Sequence, residues 1–156
     1  MDSLFQVHAL MNTVAASSSI ETILQQRILV MDGAMGTMIQ AQALSEKDFR
    51  GEKFQDHRID LKGNNEILNL TRPDVIKAIH TDFLNSGADI VATNTFTANS
   101  VSQSDFGTEA LVYELNYQAT KLARQAIAEL PPEQRRQPHF VAGAIGPTTR
   151  SASLSP

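Results

Sequence analysis

Residues 30–40 read VMDGAMGTMIQ, and this stretch decides the fold that the rest of the sequence predicts. The apolar run from Ile28 to Met31 is short and continuous, which indicates a buried β-strand. It ends at Asp32 and breaks into a loop that contains Gly33 and Gly36, and apolar residues resume directly afterwards. The pattern predicts a strand, a glycine loop and then one or two helical turns.

A second strand is predicted within residues 88–96, ADIVATNTF. The helix before it is predicted to begin at Pro73, which suits a first turn, and Asp74 favours the positive end of the helix dipole. Gly87 is the expected stop of that helix. The strand itself ends in the polar triplet at positions 93–95, as the first strand ends in an acid and a glycine.

A third strand is predicted within residues 139–149, HFVAGAIGPTT, where Gly146 breaks its end. A helix from about Thr108 precedes it and ends at Leu130, before two prolines. None of the three strands alternates between apolar and polar residues, as expected for parallel strands that are buried on both faces. The order of elements predicts a parallel α/β fold, which binds ligands beyond the carboxyl ends of its strands.

Residues 1–17 are predicted to form a flexible N-terminal extension, and residues 18–156 a single domain. A capping-box pattern that starts at Ser18 predicts a short helix near residues 19–27. The segment 45–70 is polar and irregular, with several turn signals. It is longer than a usual connection, so it is either a functional loop or a region of short elements.

The composition excludes several classes of protein. A net charge of −4 over 156 residues argues against nucleic acid and anionic membranes as partners, because both attract basic surfaces. The absence of cysteine excludes a disulfide framework and a cysteine-ligated metal within this chain. No apolar run is long enough to span a membrane, and no basic residue precedes Arg27, so no targeting signal is predicted. The cytoplasm is therefore the expected compartment.

The loop formed by Asp32, Gly33, Gly36 and Thr37 is the first candidate binding site. Glycine permits positive φ and a close approach of ligand to backbone, and unpaired N–H groups suit a carboxylate or a phosphate. Asp32 is a candidate to hold an ammonium group or to act as an acid or base. The alternative is a plain strand-to-helix turn that Asp32 caps. The loop lacks the Lys of a Walker A motif and the third glycine of a dinucleotide fingerprint.

Asn94, Thr95 and Gly146 follow the second and third strands and are expected at the same rim. Asn94 and Thr95 either donate hydrogen bonds to a ligand or cap the turn after their strand. His80 lies beside the apolar face of its helix and is predicted to be structural. The sequence contains no recognisable metal cluster and no pair of a nucleophile and a base, so no catalytic residue is assigned.

Five motifs occur in order along the chain: RILVMDGAMGTMIQ (27–40), FRGEKF (49–54), DLKGNNEILNLTRPDVIKAIH (60–80), SGADIVATNTF (86–96) and VAGAIGPTTRSASLSP (141–156). Together they resemble the N-terminal homocysteine-binding domain of cobalamin-dependent methionine synthases. Some also suit the wider family of homocysteine methyltransferases, whereas the loop at 49–65 and the last motif point to the cobalamin-dependent enzymes. The resemblance runs from about Ile23 to Pro156.

This resemblance implies a TIM (β/α)₈ barrel, of which the chain holds about three of the eight βα units. It implies that homocysteine binds at the carboxyl face, where a zinc ion held by three cysteine thiolates activates its sulfur. The thiolate then takes a methyl group from methylcobalamin, which is recharged from methyltetrahydrofolate, and later domains bind the folate and the cobalamin. The residues implied to bind the amino acid are Asp32, Gly33, Gly36, Thr37, Asn94, Thr95 and Gly146.

Two departures limit what the resemblance implies. Ala92 stands where the family usually has an acidic residue, and the zinc cysteines belong to later strands of the barrel. Three strands also leave an open edge, so the 156-residue chain by itself is expected to be unstable or to associate, and to be inactive. Two alternatives remain: a fragment of a cobalamin-independent methyltransferase that uses betaine or S-methylmethionine, and a non-catalytic truncated product.

Overall fold

The computed structural model describes residues 19–148 and Arg150, so the predicted extension at 1–17 lies outside the described residues. The chain divides into two compact units, Met1–Val30 and Met31–Pro156. In the first unit, helix α1 spans Ile20–Leu24, and the side chain of Ser19 caps it by accepting a hydrogen bond from the Thr22 N–H. The predicted helix is confirmed, but it is shorter than expected, and its N-cap is Ser19 where the capping-box pattern predicted Ser18.

The described part of the second unit contains six α-helices and two short parallel strands. Several 3₁₀ turns connect them, at Asn65–Ile67, Ser104–Phe106, Glu109–Leu111 and Gln134–Arg136. In chain order the elements are α2 (Met35–Ala41), α3 (Glu46–Arg50), α4 (Leu68–Thr71), α5 (Pro73–Asn85), β1 (Ile90–Ala92), α6 (Ser100–Gln103), α7 (Val112–Ala128) and β2 (Phe140–Ala142).

Helix α5 forms where its start signal, its apolar face and its stop signal predict it. Pro73 is its first residue, where the missing N–H costs nothing. Ile76 and Ile79 are buried on the inner face. Gly87 follows the C-cap with φ of +98°, a conformation that residues with a side chain rarely adopt. The predicted boundaries of this helix are confirmed.

Helix α7 supplies the second long wall of the core. Leu115, Leu122 and Ala126 are buried on its inner stripe, as their spacing predicts. The helix begins at Val112 rather than near Thr108, because the preceding residues form a 3₁₀ turn. Together with α5 and the shorter helices it encloses one large apolar cluster, and a smaller cluster lies between α7 and β1.

None of the helices among the described residues combines the length and the apolar character of a membrane-spanning segment.

The two strands pair in parallel with Val91 opposite Val141. The Phe140 N–H donates to the Asp89 carbonyl at 2.8 Å, and the Thr93 N–H donates to the Ala142 carbonyl at 2.9 Å. The parallel order of these two segments agrees with the sequence prediction. Their carboxyl ends therefore lie at one edge, where the polar residues that follow them meet.

The predicted first strand is reduced to a single bridge, in which Met31 pairs in parallel with Ile90. The prediction of a full strand buried on both faces is wrong here, because Ile28 is 87% exposed and Val30 is 55% exposed. β2 also departs from it, since its residues are only half-buried. Apolar composition alone cannot distinguish a strand between two layers from one whose outer face is uncovered.

The segment 45–70 proves to be a region of short elements, held together by Arg50. Its guanidinium donates to the main-chain carbonyls of Gln55, His57 and Ile59 and to the Glu46 carboxylate. A planar group with five fixed donors can satisfy several carbonyls that point at one place. Arg50 therefore replaces the hydrogen bonds that a strand or a helix would otherwise give this stretch of main chain.

Glu46 completes the same arrangement from α3. Its carboxylate accepts hydrogen bonds from the Leu61 and Lys62 N–H groups at 2.9 and 2.6 Å. Burial by itself would raise the pKa of Glu46, but these hydrogen bonds and the Arg50 guanidinium outweigh it and lower the pKa. The charged carboxylate is thus the form that the folded segment stabilises.

Replacing Arg50→Lys tests this role. An ammonium group cannot reach the same set of carbonyls, so we expect the free energy of unfolding to fall by about 1–3 kcal/mol. Urea denaturation of the protein that contains these residues measures it. Arg58→Lys is the matched control, because Arg58 is exposed. Equal losses in the two variants would contradict this role for Arg50.

Candidate functional site

A cavity of about 480 Å³ opens at the carboxyl ends of β1 and β2, next to the bridge formed by Met31. This size is within the range of small-molecule sites, and the position is the one that parallel α/β folds use for ligands. The predicted residues Asp32, Gly33, Gly36 and Asn94 all line it. The other lining residues are Ala34, Met35, Gly63, Asn65, Glu66, Ala92, Thr93, Phe96, Thr97 and Ala144.

Asp32 is bound to β1 through both its main chain and its side chain. Its N–H donates to the Ile90 carbonyl at 2.9 Å, and its Oδ1 accepts from the Ala92 N–H at 2.8 Å. The side chain is 3% exposed. Burial raises the pKa of Asp32, and the hydrogen bond from Ala92 partly offsets that rise. The alternative that Asp32 caps the next helix is wrong, because Ala34 is the N-cap and no side chain caps that helix end.

The loop after Asp32 contains a strained residue that the sequence did not predict. Ala34 has φ of +53°, which is uncommon for a residue with a Cβ. Gly36 lies on the cavity wall, where a Cβ would come within 3.9 Å of the Asn65 amide nitrogen. Thr37 is exposed and does not line the cavity. Its substrate-binding role stays a prediction that this position does not support.

Asn94 is buried, and its side-chain donors are already used within the protein. Its Nδ2 donates to the Asn65 carbonyl at 2.8 Å and to the Asn69 Oδ1 at 3.2 Å. Asn69 returns a hydrogen bond to the Asn94 carbonyl at 2.9 Å. The side chain of Asn94 therefore offers a ligand its Oδ1 as an acceptor, not the donor that we expected.

Thr95 belongs to a closed set of hydrogen bonds that joins the ends of β1 and β2. Its hydroxyl donates to the Ala144 carbonyl at 2.8 Å, and the Ala144 N–H donates to the Thr93 Oγ1 at 3.1 Å. The two hydroxyls are 2.7 Å apart. Since the Thr95 proton is used at Ala144, the Thr93 hydroxyl must donate to Thr95. Thr95 does not line the cavity, so it supports the rim from behind.

Gly146 lies directly against Phe96, which lines the cavity. Its N–H donates to the Phe96 carbonyl at 2.9 Å. A Cβ at this position would be 2.5 Å from that carbonyl oxygen, so only glycine allows the two segments to approach this closely. Gly146 is thus brought to the predicted rim, where it supports a lining residue without lining the cavity itself.

Glu66 is a cavity residue that the sequence analysis missed. It is 4% exposed, and its Oε1 accepts a hydrogen bond from the Thr97 N–H at 2.9 Å. Asn64, two residues before Glu66, is anchored by buried hydrogen bonds to Gln103 and Thr108. Its position directly before Ile67 and Leu68 is the only local signal for burial, and it cannot identify the partner.

His80 lies close to Asp32 and is completely buried on α5. Its Nδ1 is 4.0 Å from the Asp32 Oδ2, and neither ring nitrogen has a hydrogen-bond partner among the described residues. Burial lowers the pKa of His80 to about 4, so the ring is neutral at physiological pH. The sequence predicted a structural histidine but not its neighbour.

The residues of this chain do not fit the zinc site that the family resemblance implies. Among residues 19–148 and Arg150, no three His, Asp or Glu side chains are grouped as metal ligands. The sequence also has no cysteine to supply a thiolate. Asp32 and Glu66 are the ionisable residues that line the cavity, and they suit a cationic group of a ligand rather than a tetrahedral zinc with nitrogen and sulfur ligands.

The fold combines helices with parallel strands and has a cavity at the strand ends, and comparison with known proteins specifies the family. The homocysteine S-methyltransferase family model matches residues 29–156. The homocysteine methyltransferase MmuM from Escherichia coli, in its oxidised form, is similar in structure, with a TM-score of 0.62 and 25% identity over 82% of this chain. Its metallated form gives 0.60 and 24% over 80%. The chain spans about 40% of the length of each.

The chain therefore belongs to the homocysteine S-methyltransferase family. The described structure is a mixed fragment of helices and parallel strands that matches part of a homocysteine methyltransferase fold.

The contact between Gly146 and Phe96 predicts a cost for any side chain at this position. We expect Gly146→Ala to lower the free energy of unfolding by about 1–3 kcal/mol, because the main chain must move to admit the methyl group. Gly143→Ala is the control, since a Cβ there meets nothing within 4 Å. Thermal unfolding compares the two variants, and an equally small effect of both would show that the segments do not pack this closely.

The buried carboxylate predicts that Asp32→Asn stabilises the fold at neutral pH. The amide keeps an acceptor for the Ala92 N–H but removes the charge that burial penalises. The pKa of Asp32 is higher in the folded protein than in the unfolded chain. The free energy of unfolding of wild type therefore falls as the pH rises from the ordinary aspartate range through the folded pKa. The Tm advantage of the variant should thus be present at pH 7 and vanish near pH 3. Exposed Asp105→Asn is the control, and a lower Tm for Asp32→Asn at pH 7 would contradict the prediction.

Proposed function

We propose that this chain forms the homocysteine-binding part of a methionine synthase that transfers a methyl group from methylcobalamin to homocysteine. The convergence of Asp32, Glu66 and Asn94 on one cavity carries the proposal. No lysine, arginine or histidine is among the residues that line it, so the described wall presents acceptors and negative charge. The ammonium group of an amino acid complements such a wall.

The amino acid end of homocysteine binds next to the loop that begins at Asp32. The Asp32 carboxylate and the Asn94 Oδ1 accept hydrogen bonds from its ammonium group. Gly33 and Gly36 keep the wall free of side chains, so its carboxylate approaches the main-chain N–H groups of the loop. Thr95 and Gly146 hold the rim in place from outside the cavity. Thr37 is exposed beside Gly36, and its part in binding stays a prediction.

Residues 18–156 are, in this proposal, the N-terminal part of a (β/α)₈ barrel, with about three of its eight βα units. The parallel pairing of Met31 with Ile90 and of β1 with β2 supports it, as does the coverage of about 40% of MmuM. The zinc thiolates, the folate site and the cobalamin site belong to other parts of the protein. The 156 residues alone are therefore expected to bind the amino acid poorly and to be inactive.

A cobalamin-independent methyltransferase that uses betaine or S-methylmethionine is the second candidate. The similarity to MmuM, which is named a homocysteine methyltransferase, is compatible with it, since the family match by itself does not specify the methyl donor. The homocysteine-binding cavity is the same in both proposals. Turnover of the protein that contains these residues with each donor in turn separates them.

Calorimetry with L-homocysteine tests the binding site in that protein. We expect wild type to bind and Asp32→Asn to bind roughly 10- to 100-fold more weakly, because it loses a hydrogen bond between two charged groups. Asp105→Asn should bind like wild type. The Tm of Asp32→Asn, measured on the same protein, shows whether unfolding contributes to its weaker binding. Equal affinity of wild type and Asp32→Asn would contradict the assigned role of Asp32.

A further inference from the structure

His80 is the described histidine whose two ring nitrogens are both buried and lack a partner. Leaving a buried polar group without a hydrogen bond destabilises a folded protein, so such a group calls for an explanation. The polar atom near its Nδ1 is the Asp32 Oδ2, at 4.0 Å. That separation is too long for a hydrogen bond and short enough to become one with a small movement of either side chain.

We propose that His80 is a positioning residue of the substrate site. When an ammonium group binds Asp32, the His80 Nδ1–H donates a hydrogen bond to the Asp32 Oδ2. The inference rests on the proposed function, because it deepens the role of Asp32 in binding an amino acid. It adds a residue that touches no substrate and acts through the carboxylate.

The geometry explains why a second support is needed. The Ala92 N–H holds the Asp32 Oδ1, but the carboxyl group can still rotate about that contact. A donor on Oδ2 removes this freedom and presents the carboxylate in one orientation. Hydrogen bonds of functional groups often shorten when a ligand binds, so the 4.0 Å separation leaves room for Nδ1 to reach Oδ2.

The charges around the pair determine which proton His80 carries. The ring is neutral and has a single N–H, and a carboxylate can only accept, so the proton lies on Nδ1. Glu66 is the other ionisable residue that lines the cavity, and its Oε1 is bound to the Thr97 N–H. On the outer face of α5, Lys77 forms an ion pair with Glu129. These pairings leave Asp32 as the charged group that orients the imidazole.

Long-range ¹H–¹⁵N NMR of histidine-labelled protein tests the tautomer without any ligand. The signal of His80 is assigned by its loss in His80→Asn. We expect the proton on Nδ1 in wild type, and on Nε2 in Asp32→Asn, whose amide N–H turns His80 Nδ1 into an acceptor. A proton on Nε2 in wild type, both free and with homocysteine, overturns the proposal. A histidine that only fills space would give the same tautomer in both proteins.

Homocysteine affinity supplies the second measurement, with two variants of nearly the same shape. His80→Asn keeps an N–H donor near the position of Nδ1, whereas His80→Leu removes it. We expect His80→Leu to weaken binding roughly 10-fold and His80→Asn to restore most of that loss. In the Asp32→Asn background the difference between the two should vanish. Equal affinities of His80→Asn and His80→Leu, in variants shown to be folded by circular dichroism, overturn the proposal.

The two measurements also separate this inference from the proposed function. If wild type does not bind homocysteine, the proposed function fails, and the tautomer still reports whether the proton of His80 lies on the nitrogen that faces Asp32. If wild type binds and the tautomer is Nε2 throughout, the function stands and the positioning role of His80 is wrong.

Discussion

The candidate site depends on one replacement, in which the Asp32 carboxyl group takes a hydrogen bond that a main-chain carbonyl accepts in an ordinary parallel ladder. Its N–H still binds the Ile90 carbonyl, but the next bond, from the Ala92 N–H, goes to Oδ1. The main chain is therefore released from the sheet at this residue and turns into the glycine loop. The same bond holds a buried carboxylate at the cavity wall, so the end of the strand and the binding group are one feature.

The polar residues at the other strand ends divide into those that build the rim and those that remain open to a ligand. The hydroxyls of Thr93 and Thr95 are satisfied within the closed set at Ala144, and the Asn94 amide nitrogen is satisfied by Asn65 and Asn69. Turning a buried donor from its protein partner to a ligand breaks a hydrogen bond, and that costs free energy. What the cavity offers is therefore carboxylate and amide oxygen. This excess of acceptors is the reason that an ammonium group is proposed as the part of the ligand that binds here.

Sequence reasoning succeeded where the signal is local and failed where it is tertiary. Pro73 and Gly87 define α5 because their effects on the main chain act within one turn. The expectation of a common rim for the strand ends also followed, since parallel strands share an edge. The reduction of the first strand to one bridge was not predictable, because apolar residues such as Ile28 and Val30 do not indicate that their side chains stay uncovered. Glu66 and His80 were missed as members of the site, because the residues around them in the sequence do not indicate that Thr97 and Asp32 lie beside them in the fold.

Ala92 departs from the acidic residue that the family usually has at this position, and the structure changes how this departure is interpreted. The resemblance implies an acidic side chain here, and its loss first suggests a weakened site. In the structure, the main-chain N–H of Ala92 is the group that binds Asp32, and any residue except proline supplies it. A carboxylate at this position would add a third negative charge to a wall that already holds Asp32 and Glu66, and like charges raise the pKa values of neighbouring acids. Alanine therefore preserves the link that positions Asp32 and keeps its carboxylate more readily charged.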